Sequence, residues 1–187
     1  LKKEKIHTQI NIIIHRGNFD QVDQMINFCK EQELTFEISC DISDRYDKSK
    51  PSADNVVISD TQFEQLLRGK NSQYFQTTSK PDGFQCSCAR SVCGLSVTGD
   101  IYPCIGAPIP SGNLKKNTFH EIWNNSVELN KIRNIKRSSF KECNKCDLQT
   151  ECVRSSGEIY INTGDYLGCD PNVLKKAQLR KKVKESI

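Results

Sequence analysis

Apolar and polar positions follow two rhythms along the first 70 residues. Residues 8–14 are β-branched and apolar, and Arg16-Gly17-Asn18 closes the run with turn-forming residues, so the stretch predicts a strand. Val22, Met25, Ile26 and Cys29 then recur at helical spacing, with Asp20 placed to cap that helix or meet its dipole. Residues 34–42 alternate as a strand does. Ser59-Asp60-Thr61-Gln62 has the pattern of a capping box ahead of Phe63, Leu66 and Leu67. Strand, helix and strand at these lengths predict a parallel βαβ unit with a right-handed crossover. One such unit cannot cover its own sheet, so further strands are expected from sequence outside these residues.

The rhythm breaks near residue 80. A polar loop at 43–58 contains Lys50-Pro51, and a second at 69–83 ends in Lys80-Pro81-Asp82-Gly83. Cysteine-rich loops follow, and a domain boundary is expected there. Residues 95–97 and 101–104 read as a small hairpin around Thr98-Gly99-Asp100. Phe119, Ile122, Trp123, Val127, Leu129, Ile132 and Ile135 predict one or two helices, and Trp123 with Phe119 and Ile122 is read as core rather than as a substrate platform. Residues 172–184 predict a basic terminal helix, placed with the second domain.

Composition narrows the chemistry. With 187 residues and 36% hydrophobic content, the chain can bury a core and needs no covalent staples. There is no signal peptide, and apolar runs such as Ile12-Ile13-Ile14 are far too short to span a membrane. The expected compartment is the cytoplasm. The chain opens at Leu1 rather than Met, as a fragment would. Its net charge of +4 is mild; Lys131, Arg133, Lys136, Arg137, Lys141 and the terminal lysines read as a solvated face, with nucleic acid not expected.

Eight of the ten cysteines fall into two sets of four. Cys143, Cys146 and Cys152 follow C-x2-C-x5-C spacing, which puts three thiolates on one tight loop, and Cys169 arrives later. Cys86, Cys88, Cys93 and Cys104 lie upstream in an irregular C-x-C-x4-C-x10-C pattern. Disulfides suit small secreted chains better than this one. Thiolates select zinc or iron–sulfur clusters, and the irregular upstream spacing favours a larger cluster gripped from several loops. Cys29 on the apolar helix face and Cys40 at a strand end are expected as buried small hydrophobes. His7 and His120 carry no assignment.

The chain resembles a known family at several points in order. Gly99-Asp100-Ile101-Tyr102-Pro103-Cys104, Gly112-Asn113-Leu114, Phe119-His120-Glu121-Ile122-Trp123 and the Cys143/Cys146/Cys152 cassette look like a SPASM domain, the C-terminal extension of many radical S-adenosylmethionine enzymes. The resemblance covers residues 86–171, including Thr163-Gly164-Asp165-Tyr166-Leu167, and extends more loosely to the first 70 residues. It implies an α/β then α+β fold: the last βα units of a partial TIM-like barrel over 1–80, then a SPASM domain over 81–187. It implies two auxiliary [4Fe–4S] clusters, one on Cys104 with at least two of Cys86, Cys88 and Cys93, the other on Cys143, Cys146, Cys152 and Cys169. The family has a further Cys three or four residues after the position of Cys152, where this chain has Ser155 and Ser156. That departure implies either an open iron or full ligation by the upstream thiols. His15 and Asn18 follow a strand at the end of such a barrel that would face S-adenosylmethionine; a turn or capping role is the first reading for them and S-adenosylmethionine contact the second.

No C-x3-C-x2-C motif is present, so the cluster that cleaves S-adenosylmethionine is expected elsewhere, and the chain alone is expected to be inert. By resemblance, the complete enzyme carries S-adenosylmethionine and a third [4Fe–4S] cluster, draws on an external electron donor and on its N-terminal half, and modifies a peptide or protein through a 5′-deoxyadenosyl radical. A tetrapyrrole-modifying enzyme of the same family is the alternative. A stand-alone iron–sulfur electron carrier and a structural zinc-binding interaction domain are the competing classes.

Overall fold

A computed structural model describes residues 4, 6–45, 47, 49, 52–77 and 86–186. Lys50-Pro51 and Lys80-Pro81-Asp82-Gly83 lie outside the described residues. The chain divides into two compact units, Leu1–Thr77 with Lys175–Ile187, and Thr78–Leu174. Among the described residues no helix is long and apolar enough to cross a membrane.

The first unit is built on β1 (Gln9–Ile13), α1 (Val22–Glu31) and β2 (Thr35–Ser39). The two strands pair in parallel, Gln9 opposite Thr35 through Ile13 opposite Ser39. The apolar face of α1 supplies Val22, Ile26 and Cys29 to the core beside Ile12 and Ile14. Asp20 does not cap this helix: it sits in a short 3-10 turn at Phe19–Gln21, and the helix starts from Gln21 without a side-chain cap. Ser59 does cap α2 (Asp60–Arg68); its hydroxyl accepts from Gln62 N, and the Gln62 side chain reaches back to Ser59 N. That reciprocal pair satisfies two otherwise orphaned donors. It fixes α2 so that Phe63, Leu66 and Leu67 enter the same core.

The terminal helix α6 (Pro171–Glu185) corrects an expectation. Sequence placed it with the second domain, but from Lys175 onward it belongs to the first unit. Val183 is buried in that unit's core and Leu179 packs against it. The basic residues on the same turns fasten it: Lys176 Nζ donates to Asp41 Oδ1 at 2.6 Å and to Cys40 O at 2.9 Å. Arg180 Nε donates to Phe75 O at 3.0 Å, and its guanidinium lies 5.1 Å from the Phe63 ring centre. Lysine and arginine stems cover apolar surface while their heads find oxygen, so a helix that reads as a solvated basic tail is docked.

The second unit contains β3 (Gly94–Leu95) and β4 (Ile101–Tyr102), antiparallel, then α3 (Phe119–Asn125), α4 (Val127–Arg133) and α5 (Ser156–Thr163). The hairpin is shorter than its sequence predicts, and Val97 stands fully exposed at the turn. Gly99 takes φ +92° there, open to glycine at little cost. Thr118 caps α3 through a second capping box with Glu121. Ile101, Leu129, Ile132 and Ala89 form the core, with Trp123, Cys88, Cys93 and Cys104 packed around it.

Candidate metal centre

The first thiol group is assembled by a bend at Ala89. This residue holds φ +55°, a left-handed conformation that costs an L-residue about 1–2 kcal/mol and persists where surroundings enforce it. Here Ala89 N donates to Pro103 O at 2.9 Å and Val92 O at 3.0 Å, while Ala89 O accepts from Arg133 Nε at 2.7 Å. The bend brings Cys88 beside Cys104, which β4 delivers. Hydrogen-bonding contacts then run from Cys86 to Cys88 to Cys104, and Cys86 Sγ lies 3.6 Å from the Tyr166 hydroxyl. Donation from Cys88 brings the Cys104 pKa down to about 7. Cys88 and burial push Cys86 up in turn. Cys93 packs against the apolar core, as Cys88 and Cys104 do.

Arg133 was expected on a solvated face, and the structure corrects this. Besides its bond to Ala89, it donates to Trp123 O at 2.8 Å and Asn130 Oδ1 at 2.6 Å, and it lies 4.9 Å from the Trp123 ring centre. It thereby ties α3 and α4 to the cysteine loop. No periodicity in the sequence distinguishes it from Lys131 or Arg137.

The second group gathers around Arg154. Cys143 opens a 3-10 turn at Cys143–Lys145, and Cys146 N donates back to Cys143 O at 3.1 Å. Cys152 follows directly on a turn in which Glu151 N donates to Leu148 O at 3.1 Å. Cys169 is brought in by Arg154, which donates to Tyr166 O at 2.7 Å and to Gly168 O through its other terminal nitrogen. The guanidinium also lies 4.4 Å from the Phe140 ring centre. Burial pushes the Cys152 thiol up, and Cys143 and Cys169 add to it; Cys169 is raised by burial and then by Cys143. Arg154 opposes both shifts. The four thiols and one cation form a single electrostatic neighbourhood.

All ten cysteines are free thiols; Cys29 and Cys40 are buried and the other eight are half-buried or exposed. Among the described residues, no three His, Cys, Asp or Glu side chains stand in the arrangement that grips a bare ion. The donor chemistry fits iron–sulfur clusters all the same: two separate groups of soft, accessible thiols are the donors such clusters take. His15 and Asn18 stand elsewhere, in a closed turn after β1. His15 N donates to Asn18 Oδ1 at 2.8 Å, Asn18 Nδ2 to Ile13 O at 2.9 Å, and Gly17 N to His15 Nδ1 at 3.1 Å.

Residues 86–147 match the SPASM family, an iron–sulfur cluster-binding domain. The matched stretch contains the whole first group and Cys143 and Cys146 of the second. Over 199 aligned positions the chain is 23% identical to the AdoMet-dependent heme synthase of Methanosarcina barkeri, covering 91% of this chain and 57% of that protein. It is 27% identical over 86 positions to the AdoMet-dependent heme synthase of Nitratidesulfovibrio vulgaris, covering 46% of this chain and 23% of that protein. The chain therefore spans little more than half the length of the Methanosarcina relative.

Proposed function

We propose that this chain is the auxiliary-cluster-bearing part of a radical S-adenosylmethionine enzyme that modifies a tetrapyrrole in heme synthesis. The observation that carries this reading is the similarity to a heme synthase along 91% of the chain, joined to two gathered thiol groups. A peptide substrate, the first expectation, is not contradicted; both relatives' names favour the tetrapyrrole branch.

In this reading the first cluster sits on Cys104, Cys86 and Cys88, and the second on Cys143, Cys146, Cys152 and Cys169. When bound, such clusters supply one-electron transfer at a potential set by charge, hydrogen bonds and burial. The chain's own residues set those three. The Tyr166 hydroxyl stands beside Cys86 and lends a hydrogen bond to a ligand sulfur, the kind of outer contact that orients ligands. Arg154 places a positive charge among the second group's thiolates. The cluster that cleaves S-adenosylmethionine lies outside these residues, and the parallel β1–α1–β2 unit forms part of the barrel that holds it. His15 lies at the C-terminal end of β1, where S-adenosylmethionine would be met; Asn18 shapes the turn.

The test uses an enzyme of the relatives' full length containing this chain, reconstituted anaerobically and given reductant, S-adenosylmethionine and an iron porphyrin bearing carboxylate side chains. Formation of 5′-deoxyadenosine with a mass change in the porphyrin is expected. Turnover with peptides and none with porphyrins would refute the tetrapyrrole reading. Colourless protein holding zinc would refute the cluster reading itself.

A further inference from the structure

Ser156 is the first residue of α5 and is 2% exposed. Among the described residues its hydroxyl is buried with no hydrogen-bond partner, whereas the adjacent Ser155 hydroxyl is occupied in capping Glu158 N. Leaving a hydroxyl buried and unpaired costs about 1–3 kcal/mol. In a folded protein such an orphan calls for a partner from outside the chain, a water or an ion.

The neighbourhood identifies that partner. Gly157, the next residue, is seated on the backbone of Gly106: a Cβ added at Gly157 would stand 2.6 Å from Gly106 O. Gly106 in turn borders the first thiol group, since a Cβ added there would lie 3.9 Å from Cys104 Sγ and 3.8 Å from Gly157 Cα. The first turn of α5 thus abuts the Cys104 loop. Three thiols of that group, Cys86, Cys88 and Cys104, are joined by contacts, and Cys93 is not among the groups that act on them. A four-iron cluster takes four ligands.

We propose that the Ser156 hydroxyl is the fourth ligand of the first cluster, completing the set begun by Cys86, Cys88 and Cys104. The inference rests on the reading that this group holds a cluster. On binding, the O–H bond breaks and an Fe–O bond forms; the proton leaves to solvent and no electron is exchanged, as for any ligand that must be deprotonated. The positive end of the α5 dipole favours the negative charge gathered there. An alkoxide is a harder ligand than a thiolate, so one iron differs electronically from its three neighbours. Cys93 is then a half-buried structural thiol rather than a ligand.

The test is Mössbauer and electron paramagnetic resonance spectroscopy on the full chain reconstituted with ⁵⁷Fe. The wild type is expected to show one iron with an isomer shift distinct from the all-sulfur sites. Ser156→Cys should abolish that distinct site while keeping the iron content. Ser156→Ala should open the same iron, so that added cyanide shifts the resonance of the reduced cluster in this variant and not in the wild type. All-sulfur sites throughout the wild type would overturn the proposal whether or not either variant folds. Loss of the first cluster in Cys93→Ala, with Ser156→Ala unchanged, would overturn it too. Wild-type chain that takes up no iron would instead defeat the cluster reading on which it rests.

Discussion

Replacing Gly157 by Ala adds one methyl group at a place where no side chain can move aside. The added carbon would meet Gly106 O at 2.6 Å and Gly106 C at 2.7 Å, both backbone atoms, so either α5 or the 104–107 loop must shift. Overpacking of this kind costs about 1–3 kcal/mol. Alanine recovers part of that by its better helix propensity, worth up to about 1 kcal/mol in a helix interior and less in a first turn. A net loss of roughly 1–2 kcal/mol lowers the melting temperature of a unit this size by about 5–15 °C. The loop that yields carries Cys104, so the first thiol group loses its geometry along with its packing. Iron per chain after reconstitution should fall towards half, with the second group still loaded. Gly164→Ala is the control: its φ of +78° makes alanine strained, but nothing lies within 4 Å of the added carbon. It should cost about 1–2 kcal/mol and leave the iron content alone. Thermal melts followed by circular dichroism, with iron and sulfide assays on the same samples, decide the matter. An unchanged melt and full iron in Gly157→Ala would refute the claim that this close approach seats the cluster loop.

Arg154→Gln should loosen Cys169 from its group, because two charge-assisted bonds to Tyr166 O and Gly168 O, each worth about 1.5–3 kcal/mol, are lost or weakened; faster iron release from the second cluster to a chelator is expected, and an unchanged rate would count against the clamp. In the metal-free chain Cys104 titrates near 7 while Cys86 and Cys88 are pushed up, so mapped alkylation should show Cys104 reacting first as pH rises. Because its folded pKa is depressed from the usual 9.0, Cys104 contributes stability that is complete above pH 9 and lost as pH falls through about 7; reaction of Cys104 only above pH 9 would refute this. Ser59→Ala removes the α2 capping box and should cost the first unit about 1 kcal/mol, read as a lower denaturation midpoint; no shift would mean the cap is idle.

The parallel β1–α1–β2 unit and α2 were legible because each rests on a local rule: a period of two, a helical period, a reciprocal cap. The nearness of Cys86 to Cys88 follows from their C-x-C spacing. Helix α5 was not read from sequence, although Ser155 and Glu158 stand three apart as a capping pair do, because Gly157 in its first turn argues against a helix on propensity. Its glycine answers to the Gly106 backbone, a contact 51 residues away in the chain. Arg133 and Arg154 were equally hidden, one grouped with surface charge and the other without assignment. Their partners are backbone carbonyls at Ala89, Trp123, Tyr166 and Gly168, and main-chain oxygens leave no signature in a sequence. The docking of α6 escaped for a related reason: its lysines and arginine look solvated until Asp41, Cys40 O and Phe75 O are found waiting.

The return of the chain to its first unit at Lys175 would give the proposed cluster loading a lever on residues that carry no metal ligand. The first unit becomes whole only when its terminal helix comes back, and the intervening stretch, Thr78–Leu174, is a tether whose ends must be held together. An unfolded tether resists closure entropically, by about 0.6 kcal/mol for each doubling of its length; a folded one fixes its span once and for all. Every ligand bond that orders the cysteine loops therefore shortens the free tether. Under the proposed cluster assignment, iron delivered to Cys143 or Cys104 would be felt, through connectivity alone, at Val183 in a core of isoleucine and phenylalanine.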